Sequence, residues 1–207
     1  MKKAETTGYK RRLSRPVGIL LIIAGAATFA AALFLSFRRN QEEKEIRAVS
    51  NRVLTALEQT IPSAADTDSV EKWESGDAPT ISAEGYSCIG ILTIQGQKIN
   101  EKLPVIRMDG GSTAQYPYSL PCLRKGDPSS GLVLEGPGYA AFLNMADKTS
   151  RGDRLSFTDA YGVTTVYIVE TSGYIAKEPS LVDKGLVFYC RTLGGYMVIS
   201  ARRASES

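Results

Sequence analysis

The sequence predicts a mostly-β globular domain carried on an N-terminal membrane-spanning helix. Three observations carry that expectation. A 21-residue stretch near the N-terminus contains no charge, an amphipathic helical segment follows it, and from Glu84 onward short strand-like runs alternate with Gly, Pro and Asp. With 207 residues, 43% of them hydrophobic, the chain can bury a sizeable core, which excludes global disorder.

Residues 1–16 form a basic tail, read as cytoplasmic. Val17 to Phe37, VGILLIIAGAATFAAALFLSF, is the expected anchor. At ~1.5 Å rise per residue such a helix crosses a ~30 Å hydrocarbon layer. It exceeds the h-region of a cleaved signal peptide, and it ends at Arg38-Arg39 without a clear cleavage site. Six basic residues precede it, and the positive-inside rule then leaves the N-terminus in the cytoplasm and the rest of the chain outside. Residues 38–61 are expected to be a juxtamembrane amphipathic helix, because Ile46, Val49, Val53, Leu54 and Leu57 recur at helical spacing. That stripe is expected to pack on the globular domain, two heptads being too few for a coiled coil. Residues 62–83, rich in Pro, Ser, Asp and Thr, read as a linker in which Trp73 is poised to dock on the domain.

Residues 84–207 form the expected domain. Strands are predicted at 86–94, 103–107, 131–135, 154–159, 163–175, 185–190 and 196–201, with a short helix at 139–146. Asp159-Ala-Tyr-Gly162 and Gly194-Gly195 read as turns. Seven strands with little helix imply a single β-barrel or sandwich.

The chain has no histidine. This excludes a Ser-His-Asp triad, a Cys-His dyad and any histidine-ligated metal, and no cysteine pair has zinc-ligand spacing. No cofactor is expected. The net charge of +3 hides an asymmetry: residues 1–39 carry eight bases and one acid, the rest 17 bases and 21 acids. The globular part is thus at −4 and lacks the basic stripe that nucleic acid needs. Cys88, Cys122 and Cys190 would lie in a compartment permitting disulfides, and Cys88 with Cys122 is the pairing weighed against two buried thiols.

Several segments, in order, resemble the sortases, the membrane-anchored cysteine transpeptidases of Gram-positive bacteria, with class B the most similar. They are GYSCIGILTI followed by KLPV, YPYSLPCLRKG, GLVLEGPGYAAFLNMADKTSRGDRLSFTDAYGVTTVYIVETSGYI, and GLVFYCRTLGGYMVISARR, together spanning about residues 84–203. The resemblance implies an eight-stranded β-barrel with short helices, a place in cell-wall sorting or pilus assembly, and partners such as a sorting-signal peptide, a pilin-like protein or an active sortase. It puts Cys190 at the nucleophile position. The catalytic histidine position falls on Pro137, and that of the oxyanion-stabilising arginine on Met197. Proline brings neither an ionisable group nor a backbone donor, and methionine cannot hold an oxyanion.

The resemblance therefore describes a degenerate member, a scaffold retained for binding. General acid/base help is worth ~10²–10⁴-fold and an oxyanion donor ~10²–10³-fold. The rival is a working thiol enzyme with other helpers, of which Arg191, Arg202 and Arg203 are the candidates. Arg191 neighbours Cys190 on a strand and is expected on the opposite face. Gly136-Pro137-Gly138 either reshapes the groove or forms a tight turn. Tyr86, Tyr116, Tyr118, Tyr139, Tyr189 and Tyr196 are expected as half-buried strand residues rather than a peptide groove. A third reading is a structural anchor that self-associates through the 40–60 helix.

Overall fold

The structure, a computed structural model, describes residues 15–62, 73, 78–107 and 120–204. The chain divides into two compact units, Met1–Glu42 and Glu43–Ser207. One helix, α1 (Arg15–Thr60), supplies residues to both.

Within the first unit, Gly18–Arg38 has a mean hydropathy of 2.4 and none of it is buried against protein. Ile22, Phe29, Phe34 and Phe37 all stand exposed. A helix apolar all round with no protein partner suits a hydrocarbon environment, and its length is enough to cross one. By length and composition it is either a membrane anchor or a signal sequence.

The second unit holds residues 43–60 of α1, a short helix α2 (Ala140–Lys148) and nine strands. These are β1 (Ile81–Ala83), β2 (Tyr86–Gln95), β3 (Asn100–Ile106), β4 (Cys122–Asp127), β5 (Gly131–Gly136), β6 (Arg154–Asp159), β7 (Thr164–Ile175), β8 (Gly185–Thr192) and β9 (Gly195–Arg203). Strand order is β1-β2-β3-β4-β5-β8-β9-β7-β6, and β6 pairs back onto β2. Eight strands, β2 to β9, thereby close into a barrel, which removes the free edges an open sheet would expose. β1 lies outside the ring. It pairs with Tyr86–Cys88, whereas β6 pairs with Gly90–Gln95. The change of partner falls at a bulge between Cys88 and Gly90. Gly90 has φ 156°, and a Cβ there would sit 2.1 Å from the Thr158 carbonyl oxygen, so only glycine fits the switch.

The barrel interior is filled by Ile89, Leu92, Leu134, Leu155, Phe157 and Phe188, among others, with Phe142 and Met145 of α2 joining them. Trp73 docks onto this core edge-on to Phe157, with ring centroids 6.4 Å apart. A second cluster forms where α1 meets the barrel. Val53 and Leu57 are fully buried against Ala83, Cys88, Ile91, Ile106, Leu120 and Cys122. Val49 and Leu54 pack beside them, and Lys102 pairs with Glu58. The helical stripe thus lies on the globular domain, and its apolar face is already occupied.

All seven predicted strands and the short helix are present. Two strands were not legible. β1 falls at the end of the stretch read as linker, and β4, with the sequence CLRKGD, lacks alternation. A bulge between Leu123 and Lys125 breaks its period, and pairing to β5 holds it in place. The 108–119 connection, with Tyr116 and Tyr118, lies outside the described residues.

All three cysteines are free and buried. Cys88 and Cys122 both stand opposite Ile106, one on each side of β3. Two strand spacings separate their Cα atoms by about 10 Å, beyond the ~7 Å reach of a disulfide. The weighed Cys88–Cys122 bridge is therefore corrected to two buried thiols. Alkylation of the denatured, unreduced protein should add three adducts by mass; a single adduct would overturn the assignment.

Leu57 is fully buried under α1. Leu57→Ala is expected to lower unfolding free energy by roughly 2–4 kcal/mol in urea titrations. A loss under about 0.5 kcal/mol, the range of surface substitutions, would mean that this helix is not docked in solution.

Candidate functional site

β8 lies between β5, its parallel neighbour, and β9, its antiparallel one. The register places Gly136 opposite Cys190 on one side and Met197 opposite it on the other. The three positions singled out from the sequence therefore converge. Pro137 follows Gly136 directly, is itself buried, and begins the bend into α2. The β8–β9 hairpin closes over Leu193-Gly194, where Gly194 takes φ 104°. This two-residue turn fixes Cys190 and Met197 as partners.

Cys190 faces the barrel interior and is 1% exposed. Phe188 shares that face, and Met197 packs against the same cluster. Gly136 is a glycine for a local reason. A Cβ there would lie 2.6 Å from the Phe188 ring and 2.8 Å from the Cys190 sulfur. β5 is thus packed tightly against the thiol at this point. Burial pushes the Cys190 pKa from 9.0 up to about 12, helped by the nearby Glu135 carboxylate, while the Gly136 backbone N–H works against it. At neutral pH the thiol is held in its protonated, weakly nucleophilic form.

The three arginines considered as substitute helpers are elsewhere. Arg191 points to the outer face, as alternation along β8 requires, and its Nε donates to Glu135 Oε1 at 2.8 Å. Arg202 Nε lies 3.3 Å from Glu170 Oε1. Arg203 stands opposite Tyr167, six residues beyond Met197 along β9.

Sequence reading missed Glu135. It lies on the outer face of β5 with only 12% of its side chain exposed. Arg124 Nε approaches Glu135 Oε2 at 3.0 Å, Arg191 donates to Oε1, and the Tyr189 hydroxyl donates to Oε2 at 3.2 Å. Glu135 in turn raises the Arg191 pKa. Burial first, and Glu135 second, push the Tyr189 phenol up to about 12. Tyr189 is buried and meets Tyr196 edge to face at 5.6 Å. Tyr86, Tyr139 and Tyr196 are half-buried, as expected of strand and turn positions. The visible signal was a lone carboxylate inside the apolar run GLVLEG, since a half-buried charge calls for a partner.

No protein-family model matches the sequence, and neither does any curated protein. Solved structures that it is similar to include several sortases. Sortase A of Listeria monocytogenes aligns over 57% of this chain and 88% of its own, at 13% identity and TM-score 0.47. A lid mutant of sortase A from Corynebacterium diphtheriae aligns over 78% and 96%, at 19% identity and TM-score 0.47. Sortase C1 of GBS Pilus Island 1 aligns over 82% and 83%, at 18% identity and TM-score 0.48.

The buried thiols give a pH prediction. Their folded pKa values lie near 11 for Cys88 and Cys122 and near 12 for Cys190, above 9.0. The folded state keeps protons that the unfolded chain releases, so this stabilisation is complete below about pH 9 and is lost as pH rises toward 11–12. Urea midpoints of wild type should fall between pH 9 and 11 more steeply than those of Cys190→Ala. Equal slopes would place the Cys190 thiol in solvent.

Proposed function

We propose that the chain is a membrane-anchored, extracellular sortase-like protein of a Gram-positive cell, working in cell-wall sorting or pilus assembly as a binding module rather than as a transpeptidase. Its barrel would engage a sorting-signal peptide, a pilin-like protein or an active sortase. The class B affiliation rests on the sequence motifs. The orientation, with residues 40–207 outside, rests on the six bases before the apolar helix.

The observation that carries this reading is the environment of Cys190. The thiol is walled in by Gly136, Phe188 and Met197, and its pKa is pushed up to about 12. A nucleophilic cysteine needs the opposite: partial exposure and a cation or helix N-terminus that lowers its pKa. Proline at 137 offers no proton acceptor, and Met197 offers no donor to an oxyanion. The rival reading, a thiol enzyme helped by Arg191, Arg202 or Arg203, has nothing in its favour here, because Arg191 and Arg202 hold carboxylates and Arg203 lies at the far end of β9. Self-association through the 40–60 helix is disfavoured by the burial of Val53 and Leu57 against the chain's own barrel.

The deciding experiment incubates the detergent-solubilised full chain with sorting-signal peptides and an amine acceptor, beside Cys190→Ala. No cysteine-dependent cleavage or ligation is expected, while binding of a peptide or pilin-like partner should survive Cys190→Ala. Turnover that disappears in Cys190→Ala would establish the enzyme instead.

A further inference from the structure

Beyond Val169, β7 has a strand partner on one side only. The last backbone bonds on its β6 side run from the Val169 N–H to Asp153 and from the Gly152 N–H to Val169, both at 2.9 Å. From Thr171 to Ile175 the strand pairs with β9 alone, and among the described residues no backbone bond reaches its other side. The two-residue turn at Leu193-Gly194 settles which groups stand free. It makes Thr192 and Gly195 a hydrogen-bonded pair, so alternation turns the backbone groups of Tyr196, Val198 and Ser200 toward β7. Their partners Ile175, Gly173 and Thr171 face β9 in return. The N–H and C=O groups of Ser172 and Tyr174 therefore point away from β9, along an open edge. α2 lies on the inner face of this segment, where Ser172 Oγ donates to the Ala146 carbonyl at 2.5 Å. Tyr174 is 57% exposed and Ile175 38%, so the edge itself meets solvent. Such edges are ordinarily blunted by charge or proline, yet neither occurs between Glu170 and Lys177.

Beside this edge, on the outer face, lies a groove of about 470 Å³. Gly173, Val187, Val198 and Ser200 line it from the strands, and the segment from Lys177 to Ser180 lines its far wall. Val187 and Val198 adjoin Phe188 and Met197 in sequence and face the other way, so the groove lies on the opposite side of the sheet from Cys190. Gly173 has φ 147°, and a Cβ there would meet nothing within 4 Å. Its missing side chain leaves a notch in the lip of the groove. Through that notch a side chain from beyond the edge reaches toward Val198, the cross-strand partner of Gly173. Lys177 and Glu178 offset each other at the rim, so apolar surface rather than charge is what the groove selects.

We propose, building on the reading of the chain as a binding module, that the open edge of β7 accepts an extended segment of a partner protein as an added strand, with an aromatic side chain of that segment laid over Gly173 into the groove. Backbone bonds to Ser172 and Tyr174 supply affinity, and the groove supplies selectivity for the side chain opposite Gly173. An aromatic ring suits the notch, because it can lie across an edge glycine and cover it.

The detergent-solubilised full chain is titrated with the acetylated, amidated peptide KTVTFTVTK, and amide exchange is followed at single residues. Saturable slowing at Ser172 and Tyr174 is expected, with Gly173, already bonded to β9, little changed. Replacing the central Phe of the peptide by Ala should weaken apparent binding roughly tenfold or more, and N-methylation of its edge-facing nitrogens should abolish the slowing. Ile175→Lys, which places a guarding charge on the open edge, should weaken binding by roughly tenfold as well. Ile168→Lys, similarly exposed on β7 but where β6 still pairs, should stay within about twofold. No slowing at Ser172 and Tyr174, or equal binding of the N-methylated peptide, would overturn the proposal. So would a dimer in sedimentation that Ile175→Lys dissociates, because a second copy would then hold the edge. Binding of a sorting-signal peptide or pilin-like protein to the wild type is measured separately. If that binding persists while the edge stays unprotected, the added strand is rejected and the binding-module reading stands; if both are absent, both fall.

Discussion

The parallel pairing of β5 with β8 is the constraint on which the rest of the barrel depends. Leu132 to Gly136 stand opposite Leu186 to Cys190, partners separated by about fifty residues of chain. A parallel pair cannot be closed by a hairpin, so the intervening chain must cross over. α2, β6 and β7 are that crossover, and each finds its own partner: α2 on the interior, β6 on β2, and β7 on β9. Because β6 returns to β2, the crossover also completes the ring. The same pairing sets Gly136 against the Cys190 sulfur, and the tight β8–β9 hairpin sets Met197 on its other side. The site is thus a by-product of how the barrel closes.

That geometry sets the surroundings of the Cys190 thiol. Two influences act on Cys190, and they agree in sign. Desolvation penalises the thiolate, and the Glu135 carboxylate one position along β5 repels it. An activating arrangement would need a cation on the interior face. The cations at hand, Arg124 and Arg191, lie instead on the outer face, where they neutralise Glu135. One carboxylate shared by two guanidiniums and a phenol is well satisfied, so the outer cluster has little reason to rearrange toward the thiol. Strand alternation, which puts residues 189 and 191 opposite to 190, makes the separation structural rather than accidental.

How much of this was legible in the sequence varies with the kind of signal. The strands with uninterrupted apolar character, such as GLVLE and GLVFYC, and the alternating RLSFTD read directly, because burial and period 2 are local properties. The docking of Val53 and Leu57 read from their helical spacing, and Trp73 from its isolation in a polar stretch. β4 did not read, since its charges and bulge hide the pleat and its existence depends on β5. The convergence of Cys190, Pro137 and Met197 came from the family resemblance, not from spacing. The Glu135 cluster was out of reach because Arg124, Glu135 and Arg191 meet only after the barrel is closed. The disulfide question had the same character: only the register on both sides of β3 shows that Cys88 and Cys122 are too far apart.

The absence of histidine gains a physical meaning from this structure. A buried thiol is open to a helper group only where the packing around it leaves room for one. Here Gly136 packs against the thiol and the Phe188 ring at distances that leave no room for a β-carbon. A single Pro137→His substitution would place an imidazole after this glycine, yet Cys190 would remain on the interior face beneath Met197. An imidazole there would therefore not reach an open thiol unless the ends of β5 and β8 also moved apart. Such a movement would expose Phe188 and Cys190 and give up part of the barrel core. Packing therefore stabilises the closed arrangement around Cys190 and favours a rigid barrel over one that opens between β5 and β8.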